Sequence, residues 1–217
     1  MINKQNNLRV LLLKMNIKAS STDIEKYLIL LAELFLWNKK FNLTAIIDPE
    51  EALEKHIVDS LTLCSLLQNT QYLLDIGSGA GFPAIPVKIA CPQIKIYSVE
   101  ASRKKVYFQR HIARKLGLKG LKIIHCRAEE LKEKCFELPP FDVVASRALT
   151  FLPEFLNLAR PYLSTSGRVI AMKGPGCNEE LNAAVARGEW IKKDQRTFSL
   201  PSSGSIRELL VFEPKLK

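Results

Sequence analysis

The chain has 217 residues, 47% hydrophobic and 25% charged. A domain of that size buries about 70% of its extended surface, so a disulfide-stapled miniprotein and a disordered chain are both excluded. Thirty-two Lys and Arg against 22 Asp and Glu leave a net charge of +10, which favours a polyanionic partner, either nucleic acid or an acidic membrane surface.

Residues 10–13 form a short apolar patch with no small-residue cleavage site after it, so no secretory signal is expected and the chain reads as cytoplasmic. The longest apolar run, residues 28–37, contains Glu33 and is about half the roughly 20 residues of a bilayer span, so no transmembrane helix is expected. Ser21-Thr22-Asp23 offers a helix N-cap, followed by apolar residues Ile24, Tyr27, Leu28, Leu31, Leu34 and Phe35 at helical spacing. Asp48, Pro49 and Glu51 mark a second helix start, in the manner of a capping box, and that helix is predicted to run to about Leu67.

From residue 72 the pattern changes to strand-length apolar runs at 72–76, 94–99, 121–125, 141–145 and 168–172, with helical patterns at 83–90, 102–118 and 148–163 between them. This alternation predicts a mostly parallel sheet covered on both faces, a doubly wound α/β fold. A helical piece at 178–187 precedes two β-leaning runs, 191–198 and 206–212, separated by Pro201, Ser202, Ser203 and Gly204. The pair is expected to close the sheet as an antiparallel hairpin, an ending more typical of methyltransferases than of nucleotide dehydrogenases. The expected division is a helical segment over residues 1–69, packed on a catalytic domain over residues 70–217. The five cysteines are scattered with no C-x-x-C pair, so reduced thiols are expected and neither zinc nor a disulfide is suggested.

The strongest local signal is the run Leu73-Leu74-Asp75-Ile76-Gly77-Ser78-Gly79-Ala80-Gly81-Phe82-Pro83, a strand passing through glycines into a helix. Glycines let the backbone turn tightly and approach a ligand, and the helix start adds unpaired N–H groups. The dinucleotide fingerprint requires a small residue where Phe82 stands, which weakens an NAD reading. The pattern instead resembles the loop of S-adenosylmethionine-dependent methyltransferases, with Asp75 suited to a cationic ligand. Glu100, about twenty residues beyond the glycines, follows a strand where a carboxylate can accept from ribose hydroxyls. Ala128-Glu129 and Arg147 follow two further strands and line the same crevice.

No D-P-P-Y or N-P-P-Y segment follows the fourth strand, and no cysteine lies there to serve as a nucleophile. The acceptor should therefore be nucleophilic without prior deprotonation. Guanine N7 carries a lone pair and no proton, so alignment with the donor supplies most of the catalysis. Arg103, Lys104, Lys105, Arg110, Arg114, Lys115, Lys119 and Lys122 cluster on and just beyond one helix and are expected to contact phosphates, with Lys104 beside the pocket.

The chain is similar from end to end to one family, the small-subunit (16S) ribosomal RNA guanine-N7 methyltransferase G, also called glucose-inhibited division protein B. The resemblance rests on Trp37-Asn38-x-x-Phe41-Asn42-Leu43-Thr44, His56-Ile57-x-Asp59-Ser60-Leu61, the glycine run, Ser146-Arg147-Ala148 and Lys173-Gly174. It implies a Rossmann-like methyltransferase that uses S-adenosylmethionine, without a metal, to methylate one guanine N7 in the decoding region of small-subunit rRNA. It implies cofactor contacts at Gly77, Gly79, Phe82, Glu100, Ala128, Glu129 and Arg147, and catalytic positions at Arg147, Asn42 and His56. Ala84 stands where the family has glycine in G-F-P-G-I-P, and Glu100 where aspartate is common. The residues alone also fit a packed or exposed His56, Asn42 as a helix end, and Trp37 and Phe41 as core. Two other functions fit the composition: methylation of a small acidic metabolite, and non-catalytic RNA binding on a nucleotide fold.

Overall fold

The computed structural model describes residues 2–135, 137–147 and 149–215. Ala148, within the Ser146-Arg147-Ala148 motif and at the expected start of the 148–163 helix, lies outside them.

Helix α1 spans Ile2–Lys14 and α2 spans Ser21–Phe41. The patch at 10–13 is thus the end of a helix that buries Leu8, Leu11 and Leu12 at helical spacing. The cap of α2 is Ser20 rather than the expected Ser21-Thr22-Asp23: Ser20 Oγ accepts from Asp23 N–H at 3.1 Å, and Asp23 Oδ2 accepts from Ser20 N–H at 2.9 Å. Aspartate performs the reciprocal half of the capping box here. The buried residues of α2 are Ile24, Tyr27, Leu30, Leu31 and Leu34.

The segment after Asp48 is helical to Leu66, close to the expected end, but it is not one α-helix. Short α3 (Pro49–Ala52) passes into a π-helical turn (Leu53–Val58), then α4 (Asp59–Thr62) and a 3₁₀ turn (Leu63–Leu66). Asp48 caps it as expected, its Oδ1 accepting from Glu51 N–H at 2.8 Å. The π turn rotates the residues beyond it around the axis, and such turns are frequent at functional sites.

Strands β1 (Tyr72–Ile76), β2 (Lys95–Glu100), β3 (Leu121–His125), β4 (Phe141–Arg147), β5 (Leu163–Lys173), β6 (Trp190–Ser199) and β7 (Ile206–Pro214) form one sheet in the order β3-β2-β1-β4-β5-β7-β6. The first five are parallel, and β7 enters antiparallel between β5 and β6, as the sequence pattern predicts. Helices α5 (Ala84–Ala90), α6 (Arg103–Lys115), α7 (Leu131–Lys134), α8 (Leu152–Ala159) and α9 (Asn178–Ala186) complete the order.

Period-two alternation sends neighbouring strand residues to opposite cores. Leu74 and Val144 pack with α8, whereas Leu73 and Val143 pack with Ala84 and Val87 of α5. The N-terminal helices share a third cluster with Phe82, Ile85, Phe108 and Ile112, so they bury their apolar stripes against α5 and α6. Among the described residues no helix is long and apolar enough to cross a membrane.

Candidate functional site

Strand order reverses at β1, which pairs with β2 on one side and β4 on the other, and open α/β sheets bind ligands at the carboxyl ends of strands beside such a point. A cleft of about 770 Å³ lies there. Gly77 and Gly79 from the glycine loop, Glu100 and Ala101 after β2, and Ala128 and Glu129 after β3 line it. Five of the predicted cofactor residues therefore meet in one concavity.

The loop takes this shape because its backbone is tied to the next strand. Gly77 and Ser78 N–H groups donate to Val99 O at 2.9 and 3.1 Å, and Gly79 N–H donates to Glu100 Oε2 at 2.8 Å. Gly77 and Gly79 have φ of +72° and +59°, the left-handed region that glycine enters without strain. A Cβ added at Gly77 would stand 2.3 Å from Leu149 Cδ1, a side chain that lines the cleft. The other oxygen of Glu100 accepts from Ser102 N–H at 2.7 Å. Each carboxylate oxygen keeps a free lone pair, which is what paired ribose hydroxyls need.

Beneath the loop is a buried polar cluster that no sequence motif marks. Ser98 Oγ lies 2.6 Å from both Ser78 Oγ and Gln109 Oε1, while Gln109 Nε2 donates to Gly79 O at 2.7 Å. Ser78, Ser98 and Gln109 are all buried. Gln109 stands on the apolar face of α6, and a lone amide at such a position is the one signal that hints at a partner.

Asp75 does not face the ligand space as expected. It is fully buried, its Oδ2 accepts from Ala84 N–H at 3.2 Å, and its Oδ1 has no partner among the described residues. Burial pushes its carboxyl up to about 7. It holds the start of α5 and so sets where the loop ends.

Phe82, His56 and Arg147 form a second group, outside the residues lining the cleft. The His56 and Phe82 rings stack with centroids 4.4 Å apart and planes 14° apart, and the Arg147 guanidinium lies over the same phenyl ring at 5.6 Å. His56 Nε2 lies 3.1 Å from Thr44 Oγ1, and burial pushes its imidazole down to about 3. Arg147 Nη1 donates to Lys55 O at 2.7 Å, where the π turn presents its backbone, and reaches Asp59 Oδ2 at 3.5 Å. Arg207 of β7 meets the same Asp59 oxygen at 3.3 Å. Burial lowers the Arg147 guanidinium, and Asp59 and Asp75 oppose that shift.

Other motif residues hold the frame. Asn42 is exposed and ends α2 with φ of 47°, while Asn38 Oδ1 accepts from Leu43 and Thr44 N–H groups at 2.6 and 2.9 Å. Lys173 Nζ donates to Thr150 O and pairs with Glu180, each at 2.7 Å, fixing the segment that brings Leu149 and Thr150 to the cleft. Glu54 of the π turn accepts from Ser202 and Ser203 N–H groups, so the β6–β7 turn is tied to the N-terminal segment. Two expectations are corrected. Lys105, not Lys104, lines the cleft, because helical rotation turns Lys104 to solvent. Phe41 is not core: it is 41% exposed at the last turn of α2.

The model of one protein family, described as rRNA small subunit methyltransferase G, matches residues 23–210. A relative named Ribosomal RNA small subunit methyltransferase G from Syntrophotalea carbinolica is 44% identical over 214 residues, covering 97% of this chain and 98% of its own. Its namesake from Geotalea uraniireducens is 42% identical, covering 92% of each chain. Among solved structures, an SAM dependent methyltransferase from Aquifex aeolicus matches with a TM-score of 0.55 at 18% identity, covering 76% of this chain and 93% of that one. TrmN from Thermus thermophilus matches with a TM-score of 0.56 at 17% identity, over 75% of this chain and 53% of that one. These structures support the fold, and the two close relatives with the family match carry the assignment: the chain belongs to the rRNA small subunit methyltransferase G family.

Proposed function

We propose that this protein transfers the methyl group of S-adenosylmethionine to N7 of one guanine in the decoding region of small-subunit rRNA, working in the cytoplasm. The observation that carries this reading is the pairing of a glycine-loop cleft with a cluster whose His56 is stacked on Phe82 and whose Asp59 is held by two guanidiniums, so both are committed to partners. Two features support that cofactor: the glycine at 77 leaves room where a Cβ would strike the cleft residue Leu149, and Glu100 keeps acceptor capacity for the ribose. When bound, S-adenosylmethionine supplies an electrophilic methyl carbon on a sulfonium.

A guanine N7 would offer its lone pair to that carbon with no proton to lose, so no residue of this chain would need to take one up. The chain's residues accordingly orient rather than titrate. His56 stays neutral at physiological pH, since its imidazole is pushed down to about 3. The Asp59 carboxylate is held between two guanidiniums. Arg147, braced by Lys55 O and Phe82, presents a fixed cation at the end of β4. In this reading Gly77, Gly79, Glu100, Ala128 and Glu129 hold the cofactor, Phe82 and Arg147 form the wall between donor and acceptor, and His56 supports that wall. Asn42 ends α2 and turns the chain toward Thr44. Residues 1–69, the helical segment, bring His56 and Asp59 to the acceptor side, while residues 70–217, the methyltransferase domain, hold the cofactor and supply Phe82, Arg147 and Arg207.

Mass spectrometry of small-subunit rRNA from a strain lacking this protein tests the assignment. One 7-methylguanosine should be missing and should return when the purified protein and S-adenosylmethionine are added. Full occupancy of every methylguanine in the deletion strain would sink it.

A further inference from the structure

The cleft is not the largest concavity of the molecule. A groove of about 950 Å³ lies between the end of α2, the outer face of α6 and the edge strand β3. Trp37, Phe41 and Tyr107 supply its rings, and Arg110, Arg114 and Lys119 its charge. No carboxylate lines it among the described residues. Glu33, which meets the groove residue His111 at 2.8 Å, is also engaged by Lys115 at 2.5 Å.

Trp37 packs edge-on against buried Phe108, with ring centroids 5.7 Å apart, and anchors a wall of rings whose outer members are exposed. Trp37 and Phe41 have centroids 5.5 Å apart, and Trp37 and His111 5.1 Å apart. Phe41 is 41% exposed and Tyr107 is 46% exposed. Ring surface left in water at Phe41 and Tyr107 favours a partner that covers it. Along α6, Arg103, Tyr107, Arg110 and Arg114 recur at steps of four, three and four, so one face carries three cations around a ring, all exposed to solvent. The Arg103 guanidinium lies 5.4 Å from the Tyr107 ring centre and its Nε donates to the Tyr107 hydroxyl, which holds that ring upright.

Exposed rings interleaved with cations and free of carboxylates match a single nucleic-acid strand, whose bases stack on rings and whose phosphates need cations. A bilayer surface is flat and would not enter a groove walled by rings. A basic protein surface would be repelled, and an acidic one would leave the rings without a flat partner. We propose that this groove docks unpaired bases of the substrate RNA flanking the target guanine, stacked on Trp37, Phe41 and Tyr107 with phosphates on Arg110, Arg114 and Lys119. The proposal rests on the rRNA reading of the cleft. α6 links the two places, since Lys105 lines the cleft and Arg114 the groove. Nine residues of helix separate them, about 14 Å, the span of roughly four stacked nucleotides.

The test uses small subunits from a strain lacking this protein as substrate, with the unaltered protein and a Phe41→Ala/Tyr107→Ala double variant. Both side chains are exposed, so the variant should keep its melting temperature and its affinity for S-adenosylmethionine. KM for the subunits should rise at least about 30-fold with little change in kcat, the loss expected for two stacking contacts of about 1 kcal/mol or more each. Arg110→Glu/Arg114→Glu should raise KM and flatten its salt dependence. Ultraviolet crosslinking of the unaltered protein to the subunits should attach nucleotides to peptides carrying Trp37, Phe41 or Tyr107. An unchanged KM in both double variants overturns the proposal, as does crosslinking of these peptides to ribosomal protein alone. If the unaltered protein transfers no methyl to the subunits, the rRNA reading itself has failed, which is a different result from methyl transfer that ignores the groove.

Discussion

The two sides of the candidate site are built in different ways. The proposed cofactor side joins the glycine loop to the ends of β2 and β3 and to Leu149 and Thr150 after β4, with Glu100 clamping the Gly79 and Ser102 backbone. The proposed acceptor side is made of side chains brought from four distant segments, with Asp59 after the π turn holding Arg147 of β4 and Arg207 of β7, and His56 and Arg147 both against the Phe82 ring. A backbone cradle tolerates almost any residue whose side chain points away, and is broken by a Cβ that points inward. A side-chain cluster is broken by losing one partner, because the others remain buried and unpaired.

The sharpest break on the cofactor side is Gly77→Val. The branched side chain would enter the space beside Leu149, and its backbone would be held at a φ of +72°. S-adenosylmethionine affinity should fall at least about 100-fold by calorimetry, and the melting temperature should also drop, since a β-branched residue in the left-handed region costs about 1–2 kcal/mol. Undiminished affinity would remove the loop from the site.

Asp75 gives that side a pH signature. Its carboxyl sits at about 7 in the folded chain against an ordinary 3.8. Between those values the folded protein keeps a proton that the unfolded chain has released, so stability is greatest below about pH 4 as far as this group is concerned and falls as pH rises through 7. Asp75→Asn can still accept from Ala84 N–H and carries no charge. It should match the unaltered protein near pH 4 and exceed its stability at pH 8 by on the order of 4 kcal/mol, read by urea unfolding. Parallel stability curves for the two proteins from pH 4 to 8 would show that Asp75 is ionised throughout.

On the acceptor side Asp59→Asn keeps the shape and removes the charge between two guanidiniums. A loss of about 3 kcal/mol is expected, with kcat reduced more than cofactor affinity, because Arg147 loses its brace while the cleft's backbone is untouched. Equal loss of cofactor affinity and kcat would mean that the two sides are not separable.

The same division explains what the sequence made legible. β1 and β3 occupy the residues that the apolar runs mark, and the glycine loop reads directly, because strand patterning and glycine geometry are local properties. The Ser78–Ser98–Gln109 cluster and the Asp59 pairings join residues up to 148 positions apart, and no local pattern encodes a partner at that distance. Arg207 sits in no motif and reads from sequence as one more surface cation. The π turn is likewise hidden, since residues 53–58 carry ordinary helix formers and the extra residue is imposed by packing. Ser20 shows the limit of boundary reading: two adjacent serines both suit a cap, and Asp23 chooses between them.

His56 is where the comparison can be sharpened most finely, with the smallest effect. Its ring lies flat on Phe82, its Nε2 meets Thr44 while Nδ1 has no partner among the described residues, and the imidazole is too acidic when protonated to carry charge above about pH 4. If the acceptor needs no base, the ring matters as a surface and not as a proton carrier. His56→Phe keeps the stack and should leave kcat within about threefold, with a rate profile that shows no step near pH 6.5 in either protein. His56→Ala removes the stack, costs about 1–3 kcal/mol as other large-to-small changes in packed sites do, and should lower kcat through Phe82 and Arg147. The two variants separate packing from chemistry. A His56→Phe protein with normal melting temperature and cofactor affinity but no methyl transfer would make the imidazole nitrogen part of the reaction, and the acceptor would then have to be a group that gives up a proton.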